Sequence, residues 1–362
     1  MRALRYHAPG DLRVDTDVPE PKCQPHQLKI KPAFVGICGT DLHEYSTATF
    51  VPIDTPHPLT GEKAPVGVGH EFSGTITEVG SEVKDGWKVG DKVAVQPTLC
   101  CWSQGKHAGC DACDQSAINI CSSGGFVGLS GGGGGVSDFV CIDSQFAFKL
   151  PSNVDLDVGA LVEPLAVAWH AVDQYELRKG DAALVLGAGP IGLSVIQCLK
   201  ARGAETIIVA EVAAERKAFA KHFGATHIVD PTKEDVAGKA KEITGGKGVD
   251  VALDCAGVAA SIKSEVAAVR VRGTVVNVAI WEKEVPVQPN WFVFGEKSYK
   301  AVLGYLQKDF AGVVKALGDG KLQPTKMITS KIRVDRVVED GYNALINEKD
   351  KHVKILIDVQ GS

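Results

Sequence analysis

The sequence lacks several things that would place it elsewhere. No run of about 18 uninterrupted apolar residues occurs, so no membrane-spanning helix is expected. The opening M-R-A-L-R-Y-H-A has no apolar core, so no secretory signal is visible, and the closing D-V-Q-G-S matches no targeting tail. There is no excess of basic charge: 39 Lys and Arg face 44 Asp and Glu, a net charge of −5. Neither nucleic acid nor an acidic surface is therefore expected as a partner. Internal repeats and long low-complexity linkers are also missing. What remains is a 362-residue chain with 44% apolar residues, long enough for two domains with sizeable cores.

Cysteine, by contrast, is plentiful. Five of the ten cysteines crowd between Cys100 and Cys121. Without a secretory signal, such clustering favours metal over disulfides, and a cytoplasmic location. Cys100, Cys101, Cys110, Cys113 and Cys121 surround His107, a further nitrogen donor. A second concentration of donors runs from Gly36 to Glu71, as G-I-C-G-T-D-L-H-E and then P-V-G-V-G-H-E-F-S-G. It supplies Cys38, Thr40, Asp41, His43, His70 and Glu71. Thiolate, imidazole and carboxylate together suit zinc, and a catalytic zinc keeps one position open. Taken singly, Cys38 reads as a small buried hydrophobe and His70 as a satisfied core histidine; together they point to metal.

Residues up to about 150 read as short strands divided by turn signals such as Asp85-Gly86. Leu28–Lys31, Gly74–Val79 and Asp91–Val95 are expected strands, and 137–148 reads as one more. Gly131 to Gly135 are five consecutive glycines without a clear flanking strand and helix, so a flexible loop is expected rather than a phosphate cradle. Further on, the apolar run Ala182–Leu186 leads into Gly187-Ala-Gly189-Pro190-Ile191-Gly192 and a periodic helix. A second strand, 206–210, ends in Glu211, 19 residues after Gly192. Strand, glycines, helix and distant acid make the dinucleotide fingerprint: a tight turn, close backbone approach to pyrophosphate, and a carboxylate for the ribose. Glu211 disfavours a 2′-phosphate, and although Arg216 could soften that repulsion, NAD is expected over NADP. Further strands near 227, 249–253, 273–279 and 299–303, with helices between most, predict a doubly wound parallel sheet.

The two quoted donor segments resemble the zinc-dependent medium-chain alcohol and polyol dehydrogenases, over essentially the whole chain. Pro56 to Pro65 and L-V-E-P-L-A-V-A-W-H-A-V (Leu161 to Val172) narrow the resemblance to the butanediol dehydrogenase branch. The resemblance implies an α/β chain with a β-rich GroES-like catalytic domain (1–153 and 304–362) and a Rossmann NAD-binding domain (154–303). It implies two zinc ions. One is catalytic, at Cys38 and His70 with Glu71 and Glu163 as carboxylates that bind directly or through water. The other is structural, at Cys110, Cys113 and Cys121, with Cys101 favoured over Cys100 and His107 as the fourth ligand. Asp41 would orient the ligand histidine, and Thr40 and His43 would pass the proton outwards. The implied reaction is hydride transfer between NAD(H) and a secondary alcohol/ketone pair, with (R,R)-2,3-butanediol and acetoin (or diacetyl) preferred. Sorbitol, xylitol and L-threonine dehydrogenases are the alternatives. An NAD-binding sensor or structural protein is the reading from another class, and a proton relay has no use there. Dimers and tetramers both occur among such enzymes.

Overall fold

The computed structural model describes every residue except Asp85, 104–108, Glu282, Lys349 and Ser362. His107 and the first half of the Asp85-Gly86 turn thus lie outside the described residues. The chain divides into two compact units. The first comprises Met1–Glu163, Leu306–Asp319 and Pro324–Ser362; the second comprises Pro164–Tyr305 and Gly320–Gln323. The first unit thus runs past the expected limit at 153. The reason is local: the short helix Leu156–Gly159 packs on its sheet, and Ser73 Oγ donates to the Leu156 carbonyl.

The first unit is built on the strand Gln27–Gly36. Its residues alternate between faces, as a strand requires, and Leu28, Ile30 and Val35 are wholly buried. They meet Phe72 and Ile76 of the strand Glu71–Val79, its antiparallel neighbour. Burying each such side chain contributes about 1.5–3 kcal/mol. On the other edge, the late strand Lys354–Asp358 pairs antiparallel with Gln27–Gly36, and Leu356 stands opposite Gly36. Two sequence expectations change here. The stretch 137–148 is not one strand: Val140–Asp143 and Ala147–Lys149 are parted by the 3-10 turn Ser144–Phe146. Each half pairs with a different strand, Gln27–Gly36 and Lys92–Val95 respectively, so the chain must turn a corner. The glycine run is also packed rather than loose. Gly135 N donates to Gly69 O at 2.8 Å and Gly128 N to Gly133 O at 3.0 Å, which seats the run under the segment leading to His70.

The second unit carries six parallel strands. In chain order they are Ala182–Leu186, Thr206–Ala210, His227–Val229, Val249–Asp254, Val269–Asn277 and Ser298–Ala301. Across the sheet the order is third, second, first, fourth, fifth, sixth, that of a doubly wound dinucleotide fold. Ala182–Leu186 is buried throughout, as expected for a parallel strand covered on both faces. Among the described residues no helix is long and apolar enough to cross a membrane.

One core group in this unit is costly. Glu265, on the helix Ala259–Ala268, is 1% exposed, and among the described residues neither carboxyl oxygen has a hydrogen-bond partner. Burial, and then the nearby Asp254 charge, push its pKa up to about 9. In the unfolded chain the same group titrates near 4.3. Folding therefore binds a proton between those values, and stability falls as pH rises through that window. Glu265→Met is expected to raise stability at about pH 8 by about 1–3 kcal/mol, the scale of a buried polar group without a partner. Thermal melts at several pH values would read this, and the gain should shrink towards about pH 5. A variant no more stable than wild type at alkaline pH would refute it.

Candidate active site

The first donor group grows from the junction of three strands. Gln27–Gly36 ends just before Cys38, which caps the helix Gly39–Thr47. Asp41, at the third helical position, accepts the Cys38 backbone N–H on Oδ2 at 2.8 Å, satisfying a donor that the helix start leaves open. Its Oδ1 lies 3.2 Å from His70 Nδ1. Both side chains are buried, and the contact leaves the other ring nitrogen for a metal. Burial by itself would lower the His70 pKa, but the Asp41 charge and contact with the Cys38 thiol hold it well above the usual imidazole value. Glu44, also buried, accepts the backbone N–H groups of Phe50 (2.8 Å) and Val51 (3.0 Å) and so ties down the chain after the helix. Tyr342 packs edge-on against Tyr45, with centroids 5.3 Å apart, and lies within electrostatic reach of Asp41 and Cys38.

Donor atoms of Cys38, His70 and Glu71 all lie within 4.8 Å of one another. Gly36 stands opposite Glu71 in the ladder, and a side chain at 36 would overlap the Glu71 carboxylate. Glu71 is not idle. Both its oxygens accept from Lys354 Nζ, at 2.8 and 2.7 Å, and the same ammonium donates to Ile37 O at 3.1 Å. Lys354 and Glu71 are 2% and 1% exposed at the side chain. Burial disfavours the Lys354 charge, yet Glu71, followed by Cys38, raises its pKa above the ordinary lysine value. Sequence reading missed this lysine. The available signal was a single cation inside the otherwise apolar strand V-K-I-L-I.

Glu163 is 7% exposed at the start of the helix Val162–Val172, and its charge reaches Lys354. It falls outside the tight Cys38–His70–Glu71 group. The Thr40 hydroxyl lies 3.7 Å from the Cys38 sulfur. His43 is exposed and contacts Thr47 Oγ1 at 3.1 Å; among the described residues no hydrogen bond joins it to Thr40.

The second donor group comprises Cys101, Cys110, Cys113 and Cys121, whose sulfurs lie within 4.8 Å of one another. Cys101 is 3.6 Å and Cys110 3.8 Å from Cys121. Cys100 instead faces the apolar core, where burial pushes its thiol up. The Cys113 backbone N–H lowers Cys110 to about 6, while contact with Cys121 raises Cys101 to about 11. Four thiolates this close cannot all hold charge without a cation, and four sulfurs suit a closed tetrahedral zinc.

In the second unit, Gly189 precedes the helix Pro190–Ala201, and Pro190 sits at its first position, where no amide hydrogen is needed. A side chain at Gly192 would overlap the Gly187 carbonyl, so the helix packs on the turn only with glycine there. Glu211 does more than its sequence position suggested. Its Oε2 accepts Ala188 N–H at 2.7 Å, and Oε1 accepts Val212 (2.7 Å) and Ala213 (2.8 Å). The acid thus ties the end of its strand to the glycine turn. Arg216 follows, half-buried, on the helix Ala214–Phe223.

Comparison with known proteins agrees with both units. Residues 24–152 match the alcohol dehydrogenase GroES-like domain, and residues 190–319 match the zinc-binding dehydrogenase model. The chain is 44% identical to the (R,R)-butanediol dehydrogenase of Bacillus subtilis, over 99% of each. It is 39% identical to the (R,R)-butanediol dehydrogenase of Saccharomyces cerevisiae, over 99% of this chain and 98% of the other. The crystal structure of 2R,3R-butanediol dehydrogenase from B. subtilis superposes with a TM-score of 0.90 at 43% identity, covering 99% of both. Two metal-donor groups, a dinucleotide turn and these likenesses converge: the chain belongs to the zinc-binding alcohol dehydrogenases, enzymes with a GroES-like and a Rossmann domain.

Proposed function

We propose that this enzyme moves hydride between NAD(H) and a secondary alcohol/ketone pair, with (R,R)-2,3-butanediol and acetoin as that pair. The observation that carries this is the Cys38–His70–Glu71 donor group in a chain so like two butanediol dehydrogenases. Zinc bound there would supply Lewis acidity that eases loss of the alcohol proton, and the nicotinamide would take the hydride. Cys38 and His70 are the assigned protein ligands, and Asp41 holds the His70 ring in place. With both Glu71 oxygens engaged by Lys354, we assign the third donor to Glu163 and keep Glu71 beside the metal as the partner of that lysine. Thr40, next to the Cys38 sulfur, takes the alcohol proton and His43, at the exposed end, releases it to water. Cys101, Cys110, Cys113 and Cys121 hold a second, structural zinc.

Gly187, Gly189, Pro190, Ile191 and Gly192 receive the pyrophosphate at the helix N-terminus. Glu211 disfavours a 2′-phosphate, a repulsion that Arg216 softens only in part, so NAD is assigned over NADP. A panel assay of cofactor reduction tests the whole reading. With NAD, (R,R)-2,3-butanediol should give a kcat/KM at least about 10-fold above sorbitol, xylitol and L-threonine, the lower end of what a pocket discriminates. A higher value with sorbitol would overturn the substrate, and preference for NADP would overturn the role of Glu211.

The strand Ser298–Ala301 is the exposed edge of its sheet, and Phe294 beside it is 86% exposed. Unpaired edges of this kind invite a second copy, so we assign a homo-oligomer; light scattering that gave a monomer mass would refute it. We infer a cytoplasmic location from the clustered cysteines, which cell fractionation would test.

A further inference from the structure

The His70 imidazole is held from two sides. At its edge, Asp41 Oδ1 stands 3.2 Å from Nδ1. Beside its plane lies the ring of Phe126, with centroids 6.1 Å apart and planes tilted by 49°. That separation falls in the range of about 4.5–7 Å over which aromatic rings attract. Phe126 is half-buried and belongs to the short strand Gly125–Phe126, where it pairs with Thr98. Its N–H donates to Ser130 Oγ at 3.3 Å. Its carbonyl accepts the N–H groups of Leu129 (3.0 Å) and Ser130 (2.8 Å), and the Val127 N–H donates to the Pro97 carbonyl at 2.8 Å. The ring therefore stands on a backbone fixed on both sides. The turn behind it reaches the histidine as well. A side chain at Gly128, whose φ is +90°, would overlap the Gly69 carbonyl and crowd the His70 backbone nitrogen. One short turn thus meets His70 at backbone and ring together.

We propose that Phe126 is a positioning residue for His70, setting the plane of the imidazole while Asp41 sets its edge. This rests on the reading of Cys38 and His70 as ligands of the catalytic zinc. The outer torsion of a histidine side chain is broad and roughly two-fold, so packing must choose its angle. The contact with Asp41 fixes one nitrogen but leaves the ring free to pivot about that point. A second ring on a fixed backbone removes the pivot and holds the other nitrogen ready for the metal. Groups that orient a metal ligand in this way govern both affinity and the geometry of the bound ion. Phe126 has no polar side-chain atom, so it acts on the metal only through His70 and the apolar surface it places there.

The test compares the zinc-loaded full-length enzyme with Phe126→Leu and Phe126→Tyr. Melting curves check that each variant folds, and Phe126→Met replaces a leucine variant that does not. Zinc is withdrawn by competition with a chelator. In parallel the metal is exchanged for cobalt, whose visible absorbance reports ligand geometry; the part missing from Cys38→Ser belongs to the Cys38–His70 site. Phe126→Leu is expected to hold this zinc about 10-fold more weakly, the lower end for groups that support a metal ligand, and to shift the cobalt absorbance. Its kcat should fall about 10-fold while KM for the alcohol stays within about two-fold of wild type, because the loss is in the transition state. Phe126→Tyr keeps the ring and should restore all of these. Unchanged zinc affinity and cobalt absorbance in Phe126→Leu would overturn the proposal. So would a raised KM without either change, which would make Phe126 a wall of the alcohol pocket. Cobalt absorbance identical in wild type and Cys38→Ser would instead overturn the metal assignment beneath it.

Discussion

Cys38→Ser protein is expected to fold, to keep about one zinc per chain, and to lose at least about 10³-fold in kcat, the several kcal/mol that a metal supplies to a polarised oxygen. Cys38 lies at the end of a strand whose core residues Leu28, Ile30 and Val35 it does not replace, so packing survives the change. Cys113→Ser is expected to do the reverse. It too loses one zinc, but from a loop whose four sulfurs all lie within 4.8 Å of one another. Binding energy at a closed site is folding energy, so the melting temperature falls by several degrees, and any activity loss follows the loss of folded protein. Elemental analysis beside thermal melts separates the two. A wild-type enzyme with a single zinc and full activity would refute the structural site, and an active Cys38→Ser enzyme would refute the catalytic one.

The second large effect concerns the buried pair. In the zinc-free protein, Lys354→Met should destabilise the fold by about 3–5 kcal/mol, because it leaves the Glu71 carboxylate buried without a counter-charge. Glu71 is 1% exposed and both its oxygens depend on that one ammonium. The double variant Lys354→Met/Glu71→Gln should recover most of the loss, since no net charge then stays buried. Denaturant unfolding of wild type, both single variants and the double variant gives the coupling directly. If the two single losses simply add, the pair is not the unit that its geometry describes.

Much of this molecule is written locally. A five-residue apolar run before three spaced glycines and an acid after the next strand can be read without a fold, because each requirement is met within some 30 residues. The second unit accordingly has its strand, turn and helix where the pattern puts them. The donor chemistry is also local in kind: Cys38 and His70 announce a soft metal by residue type. Less was legible where neighbours in sequence differ only in direction. Cys100 and Cys101 are adjacent and chemically identical, yet the turn that follows the strand Thr98–Leu99 sends one into the core and leaves the other to the thiol cluster. Gly131–Gly135 is the loop that was expected, but its packing was not legible, for a related reason. A glycine run is equally suited to freedom and to close backbone packing, and the contacts with Gly69 that decide the matter come from far along the chain.

The sequence by itself therefore determined the chemistry: a zinc donor set, a second thiol cluster, a dinucleotide turn and the apolar alternation that buries their supports. Only the tertiary structure decided which groups act on which. Lys354 meets Glu71 across 283 residues of chain, because two ladders bring both strands to Gln27–Gly36. Glu211 reaches Ala188 across 23 residues because parallel neighbours end side by side. Periodicity reports which face of an element is buried, whereas charge pairing depends on which elements share an edge, and that is a property of the assembled sheet.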